Sequence, residues 1–302
     1  MLFRSGNLEE TMFMHQPPGF TDASKPDYVC RLKKSIYGLK QAPRQWYTAL
    51  RVALLQFGFV HSATDTSLFI YFSNNVLCYY LVYVDDIIVT GNVSTFVDAI
   101  IAKLSQSFSV KDMGHLHFFL GIEVISTTKG LFLSQHKYIR DLLSKTSMDM
   151  AKDVHTPLST STPLTLSDGS TPTDSTEYRK VIGGLQYLGL TRPDIAFAVN
   201  RLSQFMHKPT TCHWTAAKRI LQYLKQTMFH GILIQKSSPF NLHTFVDADW
   251  AANIDTRVST TAFITFLGSN PISWSARKQR AVSRSSTEAE FRALTAATSE
   301  TV

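Results

Sequence analysis

The chain has 302 residues, enough for about two domains and a sizeable hydrophobic core. Apolar residues make up 44% and charged residues 18%, a globular composition that excludes a chain disordered throughout. Thirty Lys and Arg against 23 Asp and Glu leave a net charge of +7, which permits a polyanionic partner without requiring one. Three scattered cysteines (Cys30, Cys78 and Cys212) exclude a disulfide framework and a paired-cysteine metal knuckle, and favour a reducing compartment.

The sequence predicts neither a secretory signal nor a membrane span. Arg4, Glu9 and Glu10 interrupt the N-terminal apolar residues. The uncharged stretch 66–84 is broken by Ser-Asn-Asn at 73–75, which is typical of a turn between two strands. We therefore expect a soluble, cytoplasmic protein with no membrane partner.

The N-terminal half alternates between helical and strand patterns. Apolar residues recur three and four positions apart over 46–57, and Gly58 follows, so this segment is predicted to be a helix. Two strand pairs are predicted, 67–71 with 76–84 and 118–125 with 131–134. The asparagines at 74–75 suit a tight hairpin turn, and Lys129-Gly130 suits the second connection.

A change of composition marks the middle of the chain. Between Thr156 and Thr176, Ser, Thr and Pro fill 15 of the 21 positions. The aliphatic residues there are Leu158, Leu164 and Leu166. Such a stretch is expected to bury too little apolar surface to offset the entropy of ordering it, so it is predicted to be a tether between two parts of the protein.

Helices and then strands are predicted after the tether. Arg192-Pro193-Asp194 is typical of a helix start, because proline is tolerated and aspartate is favoured in the first turn. An apolar stripe predicts a further helix, at Trp214, Ala217, Leu221 and Leu224. Three strands are predicted, at 242–248, 261–267 and 272–276. A last helix is predicted from Ser285, which has a capping-box partner in Glu288.

Two adjacent carboxylates, Asp85 and Asp86, stand between apolar strand-like runs. Unpaired carboxylates at the tip of a buried hairpin would repel each other and lose hydration. A divalent metal removes this objection, because Mg²⁺ takes one or two carboxylates together with substrate phosphates, and two such ions can clamp an in-line phosphoryl displacement. The pattern favours a metal site, and a solvent-exposed Asp-Asp turn stays open as the alternative.

These carboxylates belong to a segment that resembles a known motif. Tyr83-Val84-Asp85-Asp86 is similar to the YxDD motif of the polymerase palm in the Pol polyproteins of copia-type (pseudoviral) long-terminal-repeat retrotransposons. Further segments resemble this family in the same order, at 16–20, 32–47, 119–123, 178–194 and 217–224. The resemblance covers nearly the whole chain, from the reverse transcriptase to the start of ribonuclease H.

The resemblance implies an α+β fold that begins with a right-hand polymerase palm, an antiparallel sheet with helices, at 1–155. Three parts would follow: the Ser/Thr/Pro-rich tether at 156–176, a helical connection at 177–240 and a truncated ribonuclease H-like mixed α/β domain at 241–302. The implied activity is RNA-directed DNA polymerisation by two-metal nucleotidyl transfer, with Mg²⁺ as the cofactor. The implied partners are an RNA template, a DNA primer, the RNA–DNA hybrid, deoxynucleotides and other Pol and Gag parts, inside the cell within element particles.

The resemblance also assigns polymerase roles to single residues. Asp85 would ligate the catalytic metals directly, with Asp86 as the neighbouring metal carboxylate. Nucleotide and template contacts would come from Lys33, Lys40, Gln41, Arg44 and Tyr83. The primer grip would be formed by Phe119, Leu120 and Gly121. Within 33–47, basic residues alternate with the aromatic residues Tyr37, Trp46 and Tyr47, which places phosphate neutralisation beside stacking surfaces. A solvated basic face over a core helix stays open as the alternative.

A second acidic pair resembles the start of a ribonuclease H site. Asp247 on a predicted strand would match the first acid and Glu290 on the last helix the second, both ligating Mg²⁺ for cleavage of the RNA strand of a hybrid. Glu288 is assigned to helix capping, and an ordinary helix-surface role stays open for Glu290. A basic run that could face phosphates precedes the helix, at Arg277, Lys278, Arg280 and Arg284.

Both predicted sites lack residues of the family pattern. The first palm aspartate would precede the segment 3–6, and the later ribonuclease H carboxylate would follow Val302. Ala252 and Asn253 also depart from the Gly-Asp of the family. We therefore expect template–primer binding with little or no polymerase or nuclease activity. An unfinished core at 241–302 is expected to expose Phe263, Phe266 and Trp274 and to be marginally stable.

Two other hypotheses remain open. The chain could be part of a working enzyme of the same family whose flanking sequence is missing, which the adjoining coding sequence would decide. It could instead be an element-derived nucleic-acid-binding protein without catalysis, which salt-dependent binding without metal dependence would favour.

Overall fold

The computed structural model describes residues 10–36, 38–159 and 163–301. The segment 3–6 and Tyr37 in the basic-aromatic run therefore lie outside the described residues. The chain divides between residues 116 and 117 into two compact units, called here the N-terminal unit and the C-terminal unit. All strand pairings in the described ranges are antiparallel, and helices accompany the sheets in both units, in agreement with the predicted α+β class.

In the residues that the structure describes, the N-terminal unit combines an antiparallel sheet with two helices. Its strands are β1 (Phe13–His15), β2 (Val29–Arg31), β3 (Val60–His61), β4 (Leu68–Ser73), β5 (Val76–Tyr83) and β6 (Asp86–Gly91). Its helices are α1 (Ala42–Gln56) and α2 (Ser94–Ser107). The sheet has the order β3-β4-β5-β6, and β1 and β2 form a separate pair.

The apolar stripe of α1 explains its position in the unit. Proline in the first turn suits a helix start, and the stripe buries Trp46, Leu50 and Leu54. These side chains share one core with Phe69 and Tyr80 of the sheet. The predicted helix is confirmed and begins four residues before Trp46.

Successive side chains of the β4–β5 hairpin point to opposite faces of the sheet, so that one face is covered by the helices and the other is open. Asn74 and Asn75 form the β4–β5 turn with φ of 50° and 62°, as their turn chemistry predicts. Tyr80 and Val82 point to the helices and are buried, whereas Tyr79 and Tyr83 point to the opposite face and are exposed. The open face therefore carries aromatic side chains next to the carboxylate pair.

The C-terminal unit contains two further sheets and five helices in its described part. Its strands are β7 (Phe118–Phe119), β8 (Ile122–Ser126), β9 (Gly130–Ser134), β10 (Ile232–Gln235), β11 (Leu242–Ala248), β12 (Thr260–Leu267) and β13 (Asn270–Lys278). Its helices are α3 (His136–Lys145), α4 (Ser175–Tyr187), α5 (Ala196–Ser203), α6 (Thr211–Gln226) and α7 (Ser286–Thr301). Short 3₁₀ segments lie at Leu188–Leu190 and Pro193–Ile195. The sheets have the orders β10-β9-β8-β7 and β11-β12-β13.

Two strand predictions need correction in this unit. The predicted strand 118–125 is split into β7 and β8 by a two-residue turn at Leu120 and Gly121, whose φ angles are 48° and 76°. The turn was not predicted because the sequence is apolar through it, although Gly121 permits the positive φ. Strand β10 was not predicted, and it pairs with β9 from about a hundred residues away.

The helices of the unit enclose its main core. Tyr178, Ile182 and Leu185 of α4 pack with Leu202 of α5 and Leu221 of α6. The predicted stripe of α6 is confirmed at Ala217, Leu221 and Leu224, which are buried, and Trp214 packs at its margin. The described helices include none that is long and apolar enough to cross a membrane.

The segment predicted to be a tether contributes to this core. Leu164 is buried, and Leu158 and Leu166 pack against the same cluster. The carbonyl of Leu164 accepts a hydrogen bond from Arg201 of α5, and His213 of α6 contacts the carbonyl of Thr165. The structure thus differs from the expectation that this segment buries little apolar surface. Three leucines are enough to hold the segment on the core, because helix side chains form hydrogen bonds with the backbone between them. The four-part domain boundaries stay a prediction.

The last sheet is covered on one face by α7. Ser285 Oγ accepts from the Glu288 backbone N–H, while the Glu288 carboxylate accepts from the Arg284 N–H, so the predicted capping interaction is present. Phe263 is buried and Phe266 and Trp274 are partly buried, contrary to the expectation that all three are exposed. Phe263 lies on the same face as Thr261, which Gln279 connects to α7. The large exposed side chains of this part are instead Leu242, Phe245, Trp250, Ile254, Ile272, Val282, Phe291 and Leu294.

Candidate functional site

The turn that carries the carboxylate pair has a strained backbone. Tyr83 of β5 pairs with Asp86 of β6, which leaves Val84 and Asp85 as a two-residue turn. Val84 has a φ of 54°, a left-handed conformation that is rare for a β-branched residue and costs about 1–3 kcal/mol. The surrounding structure must therefore hold the turn in place.

A buried tryptophan supplies that support. The Trp46 indole Nε1 donates to the carbonyl oxygen of Val84 at 3.2 Å. The ring itself is 2% exposed and meets Phe108 edge-on, with the ring centroids 5.1 Å apart. Helix α1 is thereby connected directly to the turn, immediately before Asp85.

The electrostatics of the turn suit a cation. Partial burial, and then the charge of Asp86, raise the pKa of the Asp85 carboxyl above its ordinary value. A divalent ion would relieve both effects, and Mg²⁺ commonly takes one or two carboxylates and completes its octahedron with water and phosphate. Asp85 and Asp86 fit such a partial site. Within the described residues, no three His, Cys, Asp or Glu side chains form a metal-holding group.

The predicted nucleotide and template residues lie around the start of α1. Lys33, Lys40 and Arg44 are exposed. Gln41 precedes the helix, and its Nε2 donates to Met12 Sδ at 2.9 Å. Exposed cations beside a core helix are compatible both with phosphate binding and with a solvated basic face, so these roles stay predictions.

The predicted primer-grip residues form the β7–β8 turn in the C-terminal unit. Phe119 ends β7, and the carbonyl of Leu120 accepts a hydrogen bond from the Tyr187 hydroxyl of α4. A Cβ at Gly121 would overlap that hydroxyl, so glycine permits the close approach. The role of Tyr187 could not be predicted from local patterns, because its partner lies 67 residues away.

A cavity of about 710 Å³ opens beside this turn. Tyr138 of α3 and Tyr187 of α4 form one wall, with ring centroids 4.8 Å apart. The charged side chains that line it are Lys137, Asp141, Lys145, Glu177 and Lys180. Aromatic surface and three lysines thus lie beside the predicted primer grip.

The second acidic pair is placed on two elements of the last sheet. Asp247 is exposed on β11, and strand alternation puts it on the face shared with Phe245. Gln279 donates to Thr261 Oγ1 and to the Ala289 carbonyl, which ties α7 to the other face. Glu290, exposed on α7, therefore belongs to the opposite side of the sheet from Asp247. Their joint role in binding metal stays a prediction.

Comparisons with known proteins show which sequences the chain is similar to. Residues 1–160 match the family described as reverse transcriptase (RNA-dependent DNA polymerase). The retrovirus-related Pol polyprotein from transposon RE2 of Arabidopsis thaliana is 53% identical over 99% of this chain and 20% of that protein. The corresponding polyprotein from transposon TNT 1-94 of Nicotiana tabacum is 38% identical over 97% of this chain and 23% of that protein.

A shorter relative is matched over most of its own length. An uncharacterized mitochondrial protein of Arabidopsis thaliana is 49% identical over 72% of this chain and 90% of that protein. The chain spans about a fifth of the length of the Pol polyproteins that it matches. No solved structure gives a significant match.

Proposed function

Because the chain belongs to the reverse transcriptase family of copia-type retrotransposon Pol polyproteins, we propose that it binds an RNA template with a DNA primer and positions the primer end for RNA-directed DNA synthesis. The observation that carries this proposal is the turn at Val84 and Asp85, which Trp46 holds from the core. A strained, supported turn that bears two adjacent carboxylates is typical of a preorganised site.

In this proposal Asp85 and Asp86 hold Mg²⁺. The metal would supply charge neutralisation at the phosphates of the incoming deoxynucleotide. The raised pKa of Asp85 supports the assignment, because a bound cation stabilises the ionised carboxylates that otherwise repel each other. Tyr83, directly opposite Asp86 on the open face, would contact the sugar or base at the primer end.

The remaining predicted residues would bind the backbones of the nucleic acid. Lys33, Lys40 and Arg44 would neutralise phosphates on the template and nucleotide side, with Gln41 as a polar contact. Phe119, Leu120 and Gly121 would grip the primer strand, supported by the hydrogen bond from Tyr187. The lysines that line the adjacent cavity favour a phosphate backbone at this place.

The larger architecture follows the same proposal. Residues 1–155 would belong to a right-hand palm, 177–240 to a helical connection and 241–302 to a ribonuclease H-like part, in a polyprotein with other Pol and Gag parts inside the cell. The placement of Asp247 and Glu290 on opposite sides of the last sheet favours hybrid contact over RNA cleavage there. The basic run around Arg277 and Arg284 would provide that contact.

Among the residues that the structure describes, two carboxylates meet at this turn, which are few for two metal ions, so we expect binding of template–primer to exceed nucleotide addition. The second candidate function, nucleic-acid binding without catalysis, is favoured by the exposed cations at Lys33, Lys40 and Arg44, which need no metal to bind phosphate. Metal dependence separates the two functions.

The test combines primer extension and binding. Extension of a DNA primer on an RNA template with Mg²⁺ is measured for the full chain, for Asp85→Asn and for the control Asp98→Asn at an exposed position of helix α2. Extension that Asp85→Asn abolishes and Asp98→Asn preserves supports polymerisation, and equal extension by Asp85→Asn contradicts it. Template–primer binding without extension, unchanged by chelation of Mg²⁺, supports the second function. Absence of binding contradicts both.

A further inference from the structure

The cavity of about 710 Å³ beside the β7–β8 turn lies between helices α3 and α4 of the C-terminal unit. Its lining residues on α3 recur every three or four positions and so lie on one helix face: Lys137, Tyr138, Asp141, Leu142 and Lys145. Helix α4 supplies the opposite wall. Cavities of roughly 300–1,000 Å³ with an apolar lining and a few polar groups are typical of small-ligand sites, so its size and composition suit a ligand.

Two tyrosine side chains give this cavity a fixed aromatic wall. The hydroxyl of Tyr138 donates to the carbonyl of Gly184 at 3.3 Å. The hydroxyl of Tyr187 donates to the carbonyl of Leu120. The two ring centroids are 4.8 Å apart, with an angle of 59° between the planes. Because both hydroxyls are bound to the backbone, the rings keep their orientation, and a flat aromatic ligand can stack on them with little loss of side-chain entropy.

Gly183 leaves open space on the α4 wall. It lies in the interior of the helix, where glycine is less favourable than any other residue except proline. The neighbouring Gly184 has a packing reason, since a Cβ there would lie 3.2 Å from Leu142 Cδ1. A Cβ at Gly183 would meet no described atom within 4 Å, and its φ lies outside the left-handed region. An unfavourable residue that the described fold does not require, on the wall of a cavity, favours a role for that space in binding.

Charged side chains surround the aromatic wall. The cavity is lined by the lysines Lys137, Lys145 and Lys180 and by the acids Asp141 and Glu177. Lys180 Nζ is 3.7 Å from the Glu177 carboxylate, whereas Lys137 and Lys145 form no ion pair in the described part of the chain. Asp141 lies one helical turn from each of these two lysines and can accept hydrogen bonds from hydroxyl groups. The cavity therefore offers two ammonium groups to an anion and a carboxylate to a hydroxyl-bearing ligand.

A nucleotide combines the groups that match this lining. Its base is a flat aromatic ring that stacks on tyrosine, its phosphate is an anion that lysine binds, and its sugar carries hydroxyl groups. An aliphatic ligand would leave the ammonium groups without an anion, and inorganic phosphate would leave the tyrosine rings uncovered. The lining therefore favours a ligand that joins an aromatic ring to an anionic group.

We propose that the cavity between α3 and α4 binds one unpaired nucleotide, with its base on the Tyr138 and Tyr187 rings and its phosphate at the lysines of α3. A free mononucleotide and the unpaired end of a strand present the same chemistry. In the second case the inference rests on the proposed function, because the strand would lie on the predicted primer grip. In the first case the cavity is a separate ligand site of the C-terminal unit.

The first test is isothermal titration calorimetry of the full chain with adenosine 5′-monophosphate (AMP) in EDTA, which removes divalent metal. We expect one site per chain. Adenosine, which lacks the phosphate, should bind several-fold more weakly, and ribose 5-phosphate, which lacks the base, should bind at least about tenfold more weakly because stacking is lost. Absence of saturable binding at millimolar AMP, or equal affinity for ribose 5-phosphate, would overturn the proposal.

Tyr138 provides a matched pair of variants for the stacking contact. Tyr138→Phe keeps the ring and should keep the affinity for AMP within about twofold, whereas Tyr138→Leu removes the ring and should weaken binding at least about tenfold. Circular dichroism verifies that both variants are folded. Unchanged affinity in folded Tyr138→Leu would overturn the placement of the base.

Gly183 tests the space without removing any contact. Gly183→Ala should raise the urea midpoint and keep AMP binding, because alanine favours the helix and its Cβ meets no described atom. Gly183→Phe places a ring at the cavity wall, where it competes with the base, and should weaken AMP binding several-fold. Unchanged affinity in Gly183→Phe would overturn the proposal even if Tyr138→Leu fails to fold.

Lysine variants test the phosphate contact. Lys145→Gln should weaken AMP binding several-fold and leave adenosine binding unchanged. The control Lys208→Gln removes the same charge from an exposed position outside the cavity lining and should leave both ligands unaffected. Equal weakening of AMP binding by the two variants would show that net charge, and not this cavity, holds the phosphate, and would overturn the assignment.

Template–primer binding by Gly183→Phe identifies the source of the nucleotide. A several-fold loss, together with the loss of AMP binding, supports the end of a strand as the occupant. Unchanged template–primer binding, with AMP binding lost, supports a free mononucleotide. The two proposals fail separately: a chain that binds template–primer but no AMP overturns the cavity alone, and a chain that binds AMP but no template–primer overturns the proposed function alone.

Discussion

The indole nitrogen of Trp46 and the carbonyl oxygen of Val84 are joined by a hydrogen bond of 3.2 Å between residues 38 positions apart. It connects the core stripe of α1 to the turn of the carboxylate pair. A loose turn would let the two carboxylates separate, whereas this bond restrains the backbone immediately before Asp85. The geometry of the site therefore depends on a buried side chain of α1 that is not one of the carboxylates.

Replacing Trp46 by Phe should disturb this turn specifically. The variant keeps an aromatic ring in the core but leaves the Val84 carbonyl without its donor, which should cost about 1–2 kcal/mol of unfolding free energy. Amide NMR should show shifts at Val84, Asp85 and Asp86. Phe108→Leu, which loses the edge contact and keeps the hydrogen bond, should lower stability with little change at those amides. Equal amide changes in both variants would contradict the proposed role.

Replacing Val84 by Gly should relax the backbone of the turn. The valine side chain is 57% exposed, so little packing is lost, while the strain of a β-branched residue at positive φ is relieved. The greater freedom of glycine in the unfolded chain offsets part of the gain. We expect urea unfolding to show equal stability or a gain of about 1 kcal/mol. Val52→Gly at an exposed position of α1 should instead lose about 0.5 kcal/mol, because glycine has a lower helix propensity than valine, and a similar loss at Val84 would contradict the assigned strain.

Local patterns predicted the elements that depend on neighbouring residues. The Asn74-Asn75 turn, the stripe of α6 and the capping interaction of Ser285 all arise within a few residues, and the structure has them. The carboxylate pair was also visible locally, because Asp85 and Asp86 interrupt two strand-forming runs.

Long-range packing explains what the sequence did not reveal. Strand β10 depends on β9, and the burial of Leu164 depends on helices that follow much later in the chain. The β7–β8 turn was missed because Phe-Phe-Leu-Gly-Ile is apolar throughout, and only Gly121 indicates a break. In the candidate site, the helical pattern correctly predicted that Trp46 is in the core. No neighbouring residue indicated that its indole donates a hydrogen bond to the carbonyl of Val84.

Replacing Gly121 by Ala should damage the predicted primer grip sterically. The new Cβ would overlap the Tyr187 hydroxyl and lie 3.0 Å from its ring carbon Cζ. Gly169 has the same φ of 76°, with open space where its Cβ would be, so Gly169→Ala measures the conformational cost alone, about 1 kcal/mol. In urea unfolding, we expect Gly121→Ala to lower the free energy of unfolding by at least about 1 kcal/mol more than Gly169→Ala does, because overpacking of tight sites costs this much in other proteins. Equal losses would show that the approach of Tyr187 is unimportant.

The buried pair of Arg192 and Asp194 should make the C-terminal unit sensitive to acid. Arg192 is 1% exposed, donates to both carboxylate oxygens of Asp194, and also donates to the carbonyl and hydroxyl of Thr227. Burial alone would raise the pKa of Asp194, but the hydrogen bonds and charge of Arg192, with a further bond from Tyr223, outweigh it and hold that pKa below its ordinary value.

A carboxyl with a lowered pKa binds its proton more weakly in the folded chain than in the unfolded one. Its contribution to stability is therefore complete above the unfolded pKa of about 3.9 and is lost as the pH falls through the lower folded value. Asp194→Asn should lose about 3 kcal/mol at pH 7, the lower end for a broken buried pair because the carboxylate is partly exposed. The stability difference between the two proteins in urea should shrink from pH 5 towards pH 2. A constant difference over this range would mean that packing, and not the ionised pair, accounts for the loss.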